Sequence, residues 1–424
     1  MKYLLDILFF RSNNLNNVSQ DLKNLTLKTP ANKIFHAINS YSDLSEIRYV
    51  GGCVRKTINK EKIDDIDLAT NLEPKDVCEA LKKNDIKYYE TGIEHGTITA
   101  LIDDYKFEIT SLREDISTDG RHAKVKFSKD WKKDALRRDF TINAIYADSE
   151  GNIFDPFNGK EDLEKGQINF IGNPEKRIQE DYLRILRYIR FFLNYSKQKH
   201  KAEILKSLRM NLSGVSKISK ERLIDELKKV LSPKILINLT QDKSSLEILQ
   251  IIFPQLKYFA IFSNLNSYSN ALLKEVDFIF IISLLIIDQT DNVDFFLYKF
   301  NIPKKDQKRI KNLHDFFKEK ITSKSFSTNN LNRILYYKGR ETVMDILNFK
   351  IIKSKNLNSN LIELAKLYIN KLKPSMPVKA DKLMAKYKIS EGKILGDKLR
   401  LIEEEWVKNN FTISDKQVDN IVNN

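Results

Sequence analysis

Asp65 and Asp67, in Ile63-Asp-Asp-Ile-Asp-Leu-Ala-Thr70, are the side chains whose spacing points most directly to chemistry. In a strand, residues two apart share a face, so these carboxylates point the same way, ~7 Å apart or less. Two such anions repel, and a fold keeps them adjacent mainly where a cation neutralises them. Hard oxygen donors on one face suit Mg²⁺, which retains waters and takes substrate phosphates at its remaining positions. A solvated acidic turn with Asp64 as a third charge is the competing reading, and the alternation with Ile66 and Leu68 favours a half-buried strand. Upstream, Tyr49-Val-Gly-Gly-Cys-Val-Arg55 runs a strand into paired glycines and then a helix. Paired glycines let a phosphate approach backbone N–H groups, and Arg55 can fork onto its oxygens, although the same residues also fit a plain tight connection.

Three further stretches carry charge in suggestive patterns. Ala135-Leu-Arg-Arg-Asp-Phe-Thr-Ile-Asn-Ala144 places Arg137 and Arg138 ahead of a β-type run, either facing a cleft at a strand's start or solvated. Asp155-Pro-Phe-Asn-Gly159 reads as a turn anchored by its aspartate. Glu180-Asp-Tyr-Leu-Arg-Ile-Leu-Arg-Tyr-Ile-Arg190 sets Asp181, Arg184 and Arg187 along one helical face, opposite Ile185, Leu186 and Ile189. By itself that face is equally an ion-pair ladder worth roughly a few tenths of a kcal/mol per pair.

The elements that must position these groups divide the chain. Glycine concentrates between Gly51 and Gly172, where Ile47–Val50, Thr97–Ile102, Lys106–Thr110 and Thr141–Tyr146 read as strands and Asp76–Lys83 as a helix behind Pro74. From about Pro174 the apolar period becomes 3.6, as in Leu223, Leu227 and Leu231, with helices expected over Ser219–Leu231, Ser244–Ile252 and Asn360–Leu372. The fold class is therefore α+β: a mixed-sheet head followed by a long helical body. The chain has 424 residues and a net charge of +15, which suits an anionic partner such as nucleic acid, though an A/T-biased genome also raises lysine content. Two cysteines cannot build a disulfide framework or a four-thiolate zinc site, which suggests a reducing, cytoplasmic setting. Phe278–Ile287 is too short to cross a bilayer and reads as core; Met1–Phe10 reads as a buried helix rather than a signal.

Taken in order, Gly-Gly-x-Val-Arg, Asp-Ile-Asp-Leu-Ala-Thr, Arg-Arg-Asp-Phe-Thr-Ile-Asn-Ala, Asp-Pro-x-x-Gly and Glu-Asp-x-Leu-Arg-x-Leu-Arg resemble the class II CCA-adding tRNA nucleotidyltransferases and their bacterial poly(A) polymerase relatives. The likeness is dense over residues 45–235 and extends to Ser219-Lys-Glu-Arg222 and to Pro377–Met384, Gly392, Gly396 and Trp406. It implies a helical extension over 1–44, a polymerase-β-like catalytic head over 45–172, a base-reading neck over 173–235, a helical body over 236–370 and a tRNA-contacting tail over 371–424. It further implies that Asp65 and Asp67 hold catalytic Mg²⁺ with Glu108 as a third carboxylate, and that Gly51, Gly52, Arg55 and Arg138 contact the nucleotide. Asp181 and Arg184 would read the base, with Arg187 and Arg190 completing the contacts. That assignment is chemically sound: cytosine and adenine each show an amine beside an unprotonated ring nitrogen, Asp can only accept, and Arg can only donate. The implied reaction is template-free addition of CCA to tRNA from CTP and ATP, the RNA 3′-hydroxyl displacing pyrophosphate with two-metal assistance. Arg113–Ala123 resembles the flexible loop of A-adding members, and Lys56 stands where the family usually has Asp. A poly(A) polymerase or a partial-adding enzyme is the nearest alternative. An inactive RNA-binding protein and a phosphohydrolase at His314-Asp315, which lacks enough ligands, belong to other classes.

Overall fold

The structure is a computed structural model that describes residues 17–118, 123–354 and 356–423. The expected helix over Met1–Phe10 and the centre of the Arg113–Ala123 loop lie outside the described residues. The chain divides into two compact units, one taking residues up to Val230 with Asp242–Ile252, the other Leu231–Gln241 with Phe253–Asn424.

The first unit is α+β. Helices α1 (17–28) and α2 (Ala31–Asn39) lead into β1 (Ile47–Val50), α3 (Gly52–Ile58), β2 (Ile66–Thr70) and α4 (Pro74–Lys83). Strands β3 (Lys87–Gly92), β4 (Thr97–Ile102), β5 (Tyr105–Ser111), β6 (Arg113–Thr118) and β7 (Ala123–Phe127) follow. Next come α5 (Trp131–Arg137), β8 (Tyr146–Ala147), β9 (Ile153–Phe154), α6 (Gly159–Lys165), α7 (Pro174–Glu180), α8 (Arg184–Tyr195), α9 (Ala202–Met210) and α10 (Lys220–Val230). After α11 (Pro233–Gln241), which belongs to the second unit, α12 (Lys243–Ile252) completes the first. Seven strands form one sheet in the order β3-β4-β5-β2-β1-β8-β9, and β6 and β7 form a separate hairpin. Every neighbouring pair in the sheet is antiparallel except β2 and β5, whose parallel register sets Asp67 opposite Glu108.

Period-2 alternation decides which face those acids occupy. Ile66 and Leu68 of β2, with Phe107 and Ile109 of β5, point into a core shared with Leu22, Ile34, Ile38, Val77 and Leu81 from the covering helices. Asp67 and Glu108, one residue out of phase, therefore face away from that core. Among the described residues the regular elements of the second unit are all helices. Residues Phe280–Ile286 are buried inside it, so the apolar run read as core is core. Among the described residues no helix is long and apolar enough to cross a membrane.

The sequence expectations fare unevenly at the element level. Strands form over Ile47–Val50 and Thr97–Ile102 as expected, and the expected Lys106–Thr110 strand is longer by one residue at each end. Thr141–Tyr146 is not a strand: Thr141–Asn143 is a 3₁₀ turn, and only Tyr146 and Ala147 pair with β1. Side-chain hydrogen bonds draw the segment out of the ladder, from Thr141 Oγ1 to Asp162 at 2.6 Å and from Asn143 Nδ2 to Asp139 at 2.8 Å. Arg137 and Arg138 accordingly close helix α5 instead of opening a strand.

Leu68 is fully buried at the centre of β2. Leu68→Ala should destabilise the first unit by about 2–5 kcal/mol through lost burial and a residual cavity, read as a lower urea midpoint with unchanged slope.

Candidate active site

The geometry of the acids follows from where β2 begins. Asp65 precedes the strand by one residue and Asp67 is its second residue, and both line a cleft of 580 Å³. Gly51, at φ +66°, turns the chain from β1 into α3 through left-handed backbone that disfavours other residues. A Cβ on Gly52 would sit 3.6 Å from Asp67 Oδ2, so glycine keeps the space before that carboxylate open. Burial, then the charges of Glu108 and Asp65, raise the Asp67 pKa against the opposing pull of Arg138 and Arg55. Among the described residues neither Asp65 nor Asp67 has a side-chain ion pair. Glu108 is exposed and accepts from Lys106 at 2.6 Å. Among the described residues no set of three or more His, Cys, Asp or Glu converges on a metal position. The donor set is two carboxylates outside any ion pair among the described residues, with open space beside one of them, which fits a divalent cation whose other ligands come from substrate and water. Cys53, beneath the turn, is pushed up to about 11 by burial and then by Asp67, so it packs as a thiol.

Arginine dominates the rest of the cleft. Arg55, Arg138, Arg184, Arg187, Arg190 and Arg222 all line it, with Lys56 and Lys229. Each guanidinium has a fixed acceptor. Arg55, buried, donates to Asn143. Arg138 donates to Asp134 at 3.2 Å and to the Tyr146 hydroxyl at 3.0 Å. Arg187 donates to Asp139 at 2.6 Å, and Arg190 to the buried Glu226. Arg55, Arg187 and Arg190 also surround the Phe191 ring, at 4.8, 5.6 and 4.1 Å from its centroid. Burial alone would raise Asp134 and Asp139, but the neighbouring arginines outweigh it and hold each carboxyl at about 2. Lys56, where the resemblance leads one to expect Asp, pairs with Asp64 at 3.0 Å, and Asn143 serves Arg55 instead.

Asp181 and Arg184 are not successive rungs of one helix. Helix α7 ends at Glu180, Asp181 is extended at φ −153° and ψ 104°, and α8 starts at Arg184. Asp181 accepts from Arg222 at 2.7 Å and from the Leu183 N–H at 3.1 Å. Arg184 donates to Glu180 at 2.8 Å and to the Arg177 carbonyl at 2.7 Å. The ion-pair ladder is therefore not what links Asp181 with Arg184. Both groups line the same cleft as Asp65 and Asp67.

Of the residues singled out from sequence, Gly51, Gly52, Arg55, Asp65, Asp67, Arg138, Asp181, Arg184, Arg187 and Arg190 come together in this cleft, and Glu108 stands beside it. Arg222, Asp139, Asn143 and Phe191 line it too and were not singled out. Glu226, a charge within the α10 stripe of Leu223 and Leu227, was the available signal that α10 faces something cationic. A smaller cleft of 360 Å³ in the second unit has exposed charges only, at Asp315, Glu319, Arg333 and Lys338.

The chain is similar to known proteins in part of its sequence and in its fold. Residues 47–169 match the family model described as the Poly A polymerase head domain. The chain is 47% identical over 189 residues to human CCA tRNA nucleotidyltransferase 1, mitochondrial, covering 44% of each chain. It is 39% identical over 188 residues to the CCA-adding enzyme of Limosilactobacillus reuteri, covering 44% of this chain and 45% of that one. The matched stretch thus spans less than half the length of these relatives. The crystal structure of the Bacillus stearothermophilus CCA-adding enzyme in complex with CTP shares the fold, with a TM-score of 0.63, 21% identity, and coverage of 89% of this chain and 91% of that one.

Asp134 is the hub of the Arg137, Arg138 and Tyr146 contacts. It titrates lower folded than unfolded, so its contribution is full above the unfolded carboxylate pKa of about 4 and is lost as pH falls toward the folded value of about 2. Asp134→Asn should lower stability at pH 7 by roughly 2–3 kcal/mol and flatten the acid limb between pH 4 and 2, measured by urea unfolding across that range.

Proposed function

We propose that this chain adds the 3′-terminal CCA to tRNA from CTP and ATP, selecting each nucleotide with protein groups alone, and that Mg²⁺ is its working cation. The observation that carries this reading is a single cleft lined both by the carboxylate pair Asp65 and Asp67 and by an acceptor, Asp181, with a donor, Arg184. Its lining carries eight cationic against four anionic side chains, a balance suited to a triphosphate. The volume lies within the roughly 300–1,000 Å³ of small-molecule sites. The likeness to enzymes named for CCA addition supports the same reading.

Asp65 and Asp67 would hold the cation, which when bound neutralises phosphate charge and lowers the pKa of the attacking 3′-hydroxyl. The protein's own work is placement. Arg55 and Arg138, locked by Asn143 and Asp134, offer fixed donors to phosphate oxygens without reorganising. Asp181 accepts the exocyclic amine of cytosine or adenine while Arg184 donates to the adjacent ring nitrogen. Uracil and guanine present a carbonyl beside an N–H, setting acceptor against acceptor and donor against donor, which such a pocket rejects by orders of magnitude. Glu108 serves as the third carboxylate once Lys106 releases it. The head is residues 45–172 and the neck 173–235; the body and tail, 236–370 and 371–424, hold the tRNA acceptor arm by shape and phosphate contacts. The free Cys53 and Cys78 suit a reducing cytoplasm.

Incubation with tRNA lacking CCA and each labelled triphosphate should give two cytidylates and then one adenylate, with UTP and GTP unused. Long adenylate tails would indicate a poly(A) polymerase, and no incorporation an RNA-binding protein without activity. Asp65→Ala and Asp67→Ala should each abolish addition of C and A while a gel-shift assay shows tRNA still bound. Arg184→Ala and Asp181→Ala should lower CTP and ATP use by about 1–3 kcal/mol of transition-state stabilisation and raise relative UTP or GTP incorporation. Normal rate and fidelity in those variants would refute the base-reading assignment.

A further inference from the structure

The three-residue turn from Asp181 to Leu183 carries one base-reading group and leads directly into the other. Its backbone is pinned by hydrogen bonds from Arg184 N to Asp181 O at 3.0 Å and from Ile185 N to Tyr182 O at 3.1 Å. What fixes its outer side is the Tyr182 ring. That ring lies against the buried Gly214, in the 3₁₀ segment Leu212–Lys217, with the Lys217 ammonium 5.6 Å from its centroid. A Cβ on Gly214 would fall 2.0 Å from Tyr182 Cε1 and 2.2 Å from Cδ1, distances no packed atoms tolerate. Gly214 does not occupy left-handed backbone, so what the position requires is the missing side chain and not conformational freedom. On the other side of the turn, Arg222 of α10 donates to Asp181 Oδ2 at 2.7 Å.

We propose that Gly214 is a positioning residue for base selection: its bare backbone seats the Tyr182 ring and so fixes the turn between α7 and α8 that presents Asp181 to the incoming nucleotide. This rests on the base-reading role given to Asp181 and Arg184 above. Gly214 and Tyr182 are absent from the cleft lining, so they can influence nucleotide choice only through the turn. A glycine serving packing alone would alter stability without altering choice.

The test compares the wild-type chain with Gly214→Ala, Tyr182→Ala, the double variant and Asp181→Ala. For each, kcat and KM for CTP, the ratio of cytidylate to uridylate incorporation and the Tm are measured. Gly214→Ala is expected to reduce the cytidylate-to-uridylate ratio about tenfold, with KM rising more than kcat falls. In the Tyr182→Ala background, where the ring is gone, adding Gly214→Ala should change the ratio no further. Tyr182→Ala alone should reduce the ratio by a similar factor. A folded Gly214→Ala protein with wild-type ratio, or an equal loss with and without the Tyr182 ring, overturns the role of Gly214. If Gly214→Ala does not fold, Tyr182→Ala decides: a folded Tyr182→Ala protein with the wild-type ratio overturns the role of the seat. An unchanged ratio in Asp181→Ala would instead remove the base-reading role itself, which separates that failure from this one.

Discussion

Six guanidiniums share one cleft, and the need to hold each of them against its neighbours shapes everything around it. Like charges at such density repel, and an arginine left to solvent would sample many rotamers. The fold answers by giving each an acceptor from a different element: Asn143 for Arg55, Asp134 for Arg138, Glu180 for Arg184, Asp139 for Arg187, Glu226 for Arg190 and Asp181 for Arg222. Asp139 ties two of these anchors together, accepting from Asn143 through one oxygen and from Arg187 through the other. A chain of hydrogen bonds thereby runs from α3, beside the Gly-Gly turn, to α8. The donors are aimed before any substrate arrives, which is the condition for electrostatic stabilisation without reorganisation.

The carboxylate side of the cleft obeys the opposite rule. Asp65 and Asp67 form no ion pair among the described residues, and burial, then Glu108 nearby, raises the Asp67 pKa against the pull of Arg138 and Arg55. Crowded anions of this kind are stable only when a cation joins them. The parallel pairing of β2 with β5 creates that tension by setting Asp67 beside Glu108, while Ile66, Leu68, Phe107 and Ile109 anchor both strands in the core. Stability and reactivity are thus separated by a single residue of phase along each strand.

Much of this was legible from residue types alone. Alternation around Asp67 specified which side of β2 is polar, and the Gly51-Gly52 pair marked the turn that opens the space before it. The apolar stripes of α8 and α10 located the buried faces of both helices. What escaped was tertiary. The helical reading of Glu180–Arg190 missed the break at Asp181, because the apolar period runs on through Tyr182, Ile185, Leu186 and Ile189 while the backbone does not. Arg137 and Arg138 looked like the prelude to a strand because Thr141 and Ile142 favour one, but a local hydrogen bond from Asn143 to Asp139 and a distant one from Thr141 to Asp162 override that preference. Arg222 was legible only as the end of the Ser219–Arg222 stretch and Gly214 not at all, since their importance lies in what they touch.

Equilibrium binding of the four nucleoside triphosphates to the protein without RNA tests the central claim most directly, because it isolates base reading by protein groups from any contribution of a nucleic-acid template. With the wild-type chain and a divalent cation, calorimetry should give CTP and ATP dissociation constants at least about tenfold below those of UTP and GTP, equivalent to about 1.4 kcal/mol of discrimination. The preference should vanish in Asp181→Ala. Equal affinity for all four nucleotides in the wild-type protein, or a preference that survives loss of Asp181, would contradict it.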